Sequence, residues 1–204
     1  MVHITSARFK LKAMSHLWSR PTIRYPLAGL AGLILAISTA CSHDAATNPP
    51  APTTPERTPQ LTANAVVDRV VDGDTLIARI DGHDVRVRLI GVDTPETVDP
   101  RRPVQCFGAE ASRFLSQLLP STTPITLVRD EETTDRYGRL LAYVYRSSDA
   151  LFINLALLET GHGATSFYEP NTAFITEFTT AEATARAQAA GLWGACGGPD
   201  VPRD

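Results

Sequence analysis

The stretch AVVDRVVDGDTLIARIDGHDVRVRLIGV, Ala65 to Val92, constrains the fold of this chain more than any other. It contains three runs rich in β-branched residues, Val66–Val71, Thr75–Ile80 and Val85–Val92. Asp72-Gly73 and Asp81-Gly82 punctuate them, and Asp-Gly pairs suit tight hairpin turns. The pattern predicts a three-stranded meander. Its second strand runs antiparallel to the other two, so the start of strand two lies beside the end of strand three.

Downstream, GAEASRFLSQLLP changes to helical spacing, with Ala111, Phe114, Leu115 and Leu118 on one face and Pro120 as the stop. ITLVRD (Ile125–Asp130) and RLLAYVY (Arg139–Tyr145) return to strand. SDALFINLALLETG reads as a second helix, capped by Ser148 or Asp149 and ended by Gly161. NTAFITEFTTAEATARAQAAG reads as a third, with Phe174, Ile175, Phe178 and Ala181 on one side and Gly191 at its end. Three strands, a helix, two strands and further helices make an α+β domain. Five short antiparallel strands lose their exposed edges by closing, so a five-stranded OB-type β-barrel with three helices is expected.

The chain before this domain has a different character. Arg8, Lys10, Lys12, Arg20 and Arg24 precede the apolar run LAGLILAISTAC, which is shorter than the roughly 20 apolar residues of a membrane span. Residues 1–41 therefore read as an export signal. Cleavage after Ala40 is one reading. The other is that STAC, which resembles a bacterial lipobox, makes Cys41 a lipidated first residue and a membrane anchor; plain secretion is the alternative. Residues 42–63 are rich in Pro and Thr and poor in large apolar groups, as in an extended tether. The domain is expected over 64–197, with 198–204 as a flexible tail. Of the three cysteines, lipidation of Cys41 leaves Cys106 and Cys196 as an even pair in an oxidising compartment, so a disulfide between them is predicted.

Removal of the signal changes the charge. The whole chain carries 19 basic and 22 acidic residues, and five of the basic ones and none of the acids lie in the signal, leaving a net charge of −8. All the remaining basic residues are arginines. Bulk charge argues against a non-specific coat on nucleic acid, so phosphate recognition must come from placed arginines.

Asp74 opens strand two, Asp93 ends strand three, and Glu96 follows in GVDTPETVD. The meander puts Asp74 and Asp93 at one end of one sheet. Two carboxylates with nearby carbonyls make a hard oxygen site, suited to Ca²⁺ or Mg²⁺ and not to zinc. His83 and His162 are isolated and read as surface residues. Arg88 lies five residues before Asp93, and Arg139 follows Tyr137-Gly138. A guanidinium matches the oxygens of a phosphate. A cation, two arginines and a spare carboxylate suit phosphodiester hydrolysis, in which negative charge builds on the phosphorus oxygens. Singly, each motif also reads as an ordinary turn or a surface ion pair.

VDGDT, RLIGVDTPE and DRYGRLLAYVY, in that order, with FGAEAS and GLWG, closely resemble the thermonuclease family from about Ala65 to Trp193. The resemblance implies an OB-type barrel with three helices and a Ca²⁺-dependent nuclease that cuts DNA and RNA and leaves 3′-phosphates. It implies Asp74, Asp93 and the carbonyl of Thr94 as calcium ligands, and Glu96 as general base or water positioner. Arg88 and Arg139 would bind the scissile phosphate, and Tyr137 would lie near a terminal phosphate of bound nucleotide. Tyr168 falls in the nucleotide-contacting loop, but Ser166 stands where the family's type member has another tyrosine. The type member is also strongly basic, unlike the mature chain here. Arg101 and Arg102 lie in a loop expected to line the cleft. The expected enzyme is an exported monomer tethered to the cell envelope. The competing reading is a catalytically silent OB-type nucleic-acid-binding module, disfavoured by the complete set of acids and arginines.

Overall fold

The two Asp-Gly turns fold the first strands as the sequence suggests. In the computed structural model, which describes residues 60–97 and 104–203, β1 (Ala65–Asp72) pairs antiparallel with β2 (Thr75–Ile80), and β2 with β3 (His83–Leu89). At the second turn Asp81 and Gly82 both take positive φ, 50° and 81°, the conformation that a twisted two-residue hairpin requires. The register sets Thr75 opposite Arg88.

The chain then leaves the meander. After β4 (Gly91–Asp93) and α1 (Gly108–Leu118), β5 (Pro124–Val128) pairs with both β1 and β6 (Leu140–Arg146). β6 closes the ring on β3, with Val87 opposite Leu140 and Arg88 opposite Leu141. The result is a closed five-stranded barrel in the order β1-β2-β3-β6-β5, of the OB type with added helices. One pairing corrects the expectation of antiparallel strands throughout: β3 and β6 run parallel. Leu76, Val87, Ile125 and Val144 fill the barrel, and Leu115, Leu157 and Phe178 cap it from the helices; all are fully buried. Burying a side chain of this size stabilises by roughly 1.5–3 kcal/mol.

The expected third strand is broken at Ile90. Gly91 has φ 75°, and a Cβ there would lie 2.7 Å from the Phe178 ring. Only glycine fits both the angle and the approach. β4 therefore peels off the barrel and pairs with β8 (Ala164–Ser166), Asp93 lying opposite Ala164. Buried Asn154 satisfies the break, its Nδ2 donating to the Ile90 carbonyl at 2.8 Å while its Oδ1 accepts from the Val144 N–H at 2.9 Å.

The helices also depart from expectation. α2 (Ile153–Glu159) starts later than Ser148, because β7 (Leu151–Phe152) first pairs with β6. Asp149 binds Arg146 at 2.6 Å instead of capping the helix. α3 (Ile175–Ala187) buries Phe178, Ala181 and Ala185 but leaves Ile175 exposed. A fourth, short helix α4 (Leu192–Ala195) follows. His162, expected at the surface, is half-buried and stacks on Phe114 with ring centroids 3.9 Å apart. Burial holds its imidazole below the usual histidine range.

Cys106 and Cys196 are joined, with Cα atoms 6.1 Å apart and 90 positions between them in sequence. The chain beyond, expected as a flexible tail, runs back along the segment before α1. The Cys106 N–H donates to the Val201 carbonyl at 2.8 Å, and the Arg203 N–H to that of Val104 at 2.9 Å. The signal with Cys41, and most of the proposed tether, lie outside the described residues.

Candidate active site

The strand break at Gly91 builds one corner of the molecule. β2 begins with Thr75 opposite Arg88, and the peeled β4 ends at Asp93, so Asp74, Arg88, Asp93 and Thr94 meet. Arg88 Nη1 reaches Asp74 Oδ2 at 2.9 Å, and Nη2 reaches Asp93 Oδ1 at 2.7 Å. Nη1 also donates to the Val92 carbonyl at 2.6 Å. Asp74 is buried and further held by its neighbours: its Oδ2 accepts from the Thr94 N–H at 3.0 Å and the Thr94 hydroxyl at 3.1 Å, and its Oδ1 from the Thr75 hydroxyl at 2.9 Å. Gly73 admits this contact, since a Cβ there would overlap the Thr94 side chain.

Asp72, which the sequence reading passed over, stands behind this group. Its Oδ1 accepts from the Gly73 N–H at 2.8 Å and the Thr97 hydroxyl at 2.9 Å. Burial, reinforced by the charge of Asp74, raises its carboxyl to about 6. Burial likewise raises Asp93, with Arg88 pulling it down and Asp74 pushing it up. The corner thus crowds negative charge, and among the described residues Arg88 is the one cation paired with Asp74 and Asp93. No three acidic, His or Cys side chains converge as a metal cluster among those residues. A cation here would be held by two carboxylates, the Thr94 carbonyl and water. That oxygen-only set fits a hard divalent ion, and the crowding of carboxylates is relieved by one.

Glu96 follows three residues after Asp93. Its backbone N–H donates to Gln105 Oε1 at 2.6 Å, its carbonyl accepts from the Gln105 N–H at 2.9 Å, and its Oε1 accepts from the Thr97 N–H at 2.9 Å. The turn carrying the acid is therefore pinned on both sides of its peptide.

Arg139 precedes the first residue of β6, and the parallel register brings that end of β6 beside Val87 and Arg88. Its Nε donates to Asp135 Oδ2 at 2.7 Å, and its own N–H to Asp135 Oδ1 at 2.9 Å. Burial pushes the Asp135 carboxyl up, but the bonds from Arg139 and Tyr137 outweigh it and hold it below its ordinary value. The i,i+4 spacing of Asp135 and Arg139 was a legible signal that the sequence reading missed.

Two exposed aromatic rings stand on the loops of this region. Tyr137 is 66% exposed and lies under the Arg136 and Arg139 guanidinium groups, 4.8 and 5.4 Å from its centroid. Tyr168 is 76% exposed, in the loop after β8. Buried Asn171 ties the two loops together: its Oδ1 accepts from the Glu132 N–H at 2.8 Å, and its Nδ2 donates to the Glu132 carbonyl at 2.9 Å. Ser166 lies opposite Gly91 in the β4–β8 pair. Arg101 and Arg102 lie outside the described residues.

Carboxylates, ion-paired guanidiniums and solvent-facing rings are groups that suit an anionic, ring-bearing ligand. Comparison with known proteins points the same way. Residues 86–195 match the family model described as staphylococcal nuclease homologue. The thermonuclease of Staphylococcus intermedius is 44% identical over 128 residues, 63% of this chain and 74% of that protein. The thermonuclease of Staphylococcus hyicus is 40% identical over 127 residues, 62% of this chain and 73% of the relative. Endonuclease YncB of Bacillus subtilis is 36% identical over 135 residues, 66% of this chain and 63% of that protein. The matched span runs from β3, which carries Arg88, to Ala195, and takes in the barrel closure, Asp93, Glu96 and Arg139, while Asp74 lies before it. This chain belongs to the staphylococcal nuclease homologue family.

Proposed function

We propose that the protein is a calcium-dependent nuclease that hydrolyses phosphodiester bonds of DNA and RNA and leaves 3′-phosphates. The observation that carries this reading is the meeting of Asp74, Asp93 and Arg88 in one corner, with Glu96 on the adjoining pinned turn. The thermonuclease and endonuclease names of the relatives support it.

In this reading Asp74, Asp93 and the Thr94 carbonyl hold Ca²⁺. When bound, the ion offsets charge on the phosphate oxygens. Arg88 and Arg139 grip the same phosphate, and their donors become stronger as negative charge develops there. Glu96 accepts a proton from the attacking water, and Arg139 faces the departing oxygen. Tyr137 and Tyr168 offer faces on which bases stack in any sequence, which suits a nuclease acting on single strands. A silent binding module needs neither Glu96 nor the acidic corner. For the chain before the domain, we propose export with lipidation of Cys41, leaving residues 42–63 as a tether for a monomeric enzyme; the lipobox-like STAC and the Pro/Thr composition support this.

Digestion of single-stranded DNA and of RNA tests the activity. Purified protein should degrade both with Ca²⁺, stop on chelation, and release ends that a phosphatase can trim. Glu96→Gln should lower the rate by roughly 10²–10³, the scale of one preorganised transition-state contact. Full activity in chelator, or with Glu96→Gln, would overturn the proposal. Cys41→Ser should move the protein from the membrane fraction; an unmodified Cys41 at the mature N-terminus rules out the anchor.

A further inference from the structure

The turn at Glu96 is held by a device that no other part of the site needs. Gln105 grips the Glu96 peptide twice, accepting from its N–H at 2.6 Å through Oε1 and donating its own N–H to the carbonyl at 2.9 Å. Its remaining group, Nε2, donates to Asp200 Oδ1 at 3.0 Å. Asp200 belongs to the chain end that runs along residues 104–106, where Gln105 lies opposite Pro202. The Cys106–Cys196 bridge fastens that chain end to the residue after Gln105. On the far side, Gly108 lets α1 press against the same turn: a Cβ there would lie 2.8 Å from the Pro95 carbonyl.

We propose that Gln105 is a positioning residue for Glu96, and that the disulfide-fastened C-terminal segment is the clamp that orients Gln105. This rests on the reading of Glu96 as the proton acceptor. The side-chain amide is suited to the task because one end accepts from the Glu96 N–H while the other donates to Asp200, so its plane is set at both ends. A carboxylate that must meet one water is sensitive to small displacements, and an error of about 1 Å can cost 10²-fold in rate. The proposal therefore places rate control partly in residues 196–203, a segment distant in sequence from the acidic corner, although the charge of Asp200 is felt at Asp93.

The test is steady-state digestion of single-stranded DNA by the full protein, with kcat and KM measured separately and thermal unfolding recorded for each variant. Gln105→Met keeps the length of the side chain and removes the acceptor; kcat should fall about tenfold with KM within about twofold, the pattern of an interaction made only in the transition state. Gln105→Glu keeps the acceptor for the Glu96 N–H but loses the donor to Asp200, so its kcat should fall between those of the parent and Gln105→Met. Residues that act through one another are non-additive, so Gln105→Met should cost nothing further in a Glu96→Gln background. Asp200→Ala, at an exposed residue, and reduction of Cys106–Cys196 should each lower kcat in the same direction without raising KM. These last two keep the idea testable should Gln105→Met unfold. Full kcat in Gln105→Met, or in both Asp200→Ala and the reduced protein, overturns the positioning role. So does an undiminished Gln105→Met effect in the Glu96→Gln background. A Glu96→Gln protein that retains full rate instead removes the reading of Glu96 on which the inference stands.

Discussion

Arg88 lies on β3 and Arg139 just before β6, the strand paired with it, yet the two arginines are held by opposite means. Arg88 sits on a barrel strand with its side chain 15% exposed, and its partners are Asp74, in the turn before β2, and Val92 and Asp93 of β4. Asp74, its main partner, is 9% exposed in its side chain. Arg139 is 28% exposed and depends on Asp135, four residues away in its own loop. The first guanidinium is fixed by the fold. The second is fixed by a local turn that the fold only presents. The difference teaches that two groups with the same proposed task can stand at very different risk from mutation.

That contrast is broken or sharpened most strongly by deleting each arginine. Both Arg88→Ala and Arg139→Ala should lower nuclease activity by roughly 10²–10³. Only Arg88→Ala should also cost about 3 kcal/mol in urea unfolding, because it strands Asp74 as a buried charge. Arg139→Ala should cost less than about 1 kcal/mol, as for a loop ion pair near water. Equal losses of stability would erase the distinction.

A smaller effect probes the exposed side of the comparison. Asn171→Ala cuts both bonds between the loop of Tyr168 and the segment leading to Tyr137. It should raise KM by about fivefold and leave kcat nearly unchanged, since loop ordering is then charged against binding. A fall in kcat of similar size would place the loop tie in the chemistry instead.

The smallest effect comes from His162, which follows α2 and stacks on Phe114 of α1. Burial depresses its folded pKa below the unfolded value. The unfolded chain therefore binds more protons in that window, and the stability His162 contributes is present above the unfolded pKa near 6.5 and lost as pH falls through the folded value. His162→Phe keeps the stack on Phe114 and removes the titration. Its unfolding midpoint should drop less than the parent's between pH 7 and pH 5; an unchanged slope would refute the assignment.

The sequence made the meander legible because its cues are local: Asp-Gly turns and runs of β-branched residues need no knowledge of the rest of the chain. From that meander alone, Asp74 and Asp93 could be placed at one end of a sheet. The break at Ile90 was hidden because it follows from Gly91 meeting Phe178, a contact between distant segments. The late start of α2 was hidden because Asp149, a good cap by type, is claimed by Arg146. Gln105 looked like any polar loop residue, since its importance lies in Asp200, almost a hundred positions further on. Asp135 was missed for the opposite reason: its spacing to Arg139 was local, but inside DRYGR it passed for turn chemistry.

The parallel pairing of β3 with β6 has a consequence in time as well as in space. Val87 finds Leu140 only after α1, β5 and the intervening loops have been threaded between them. Closing such a long loop is entropically slow, so this contact belongs among the later events of folding. Before it forms, the meander already has its hairpins, and Asp74 and Arg88 already share an edge, but Arg139 has no address. A half-folded chain is thus an incomplete tool, and recovery of catalysis during refolding should keep pace with the last seam of the barrel and trail the first appearance of β-structure.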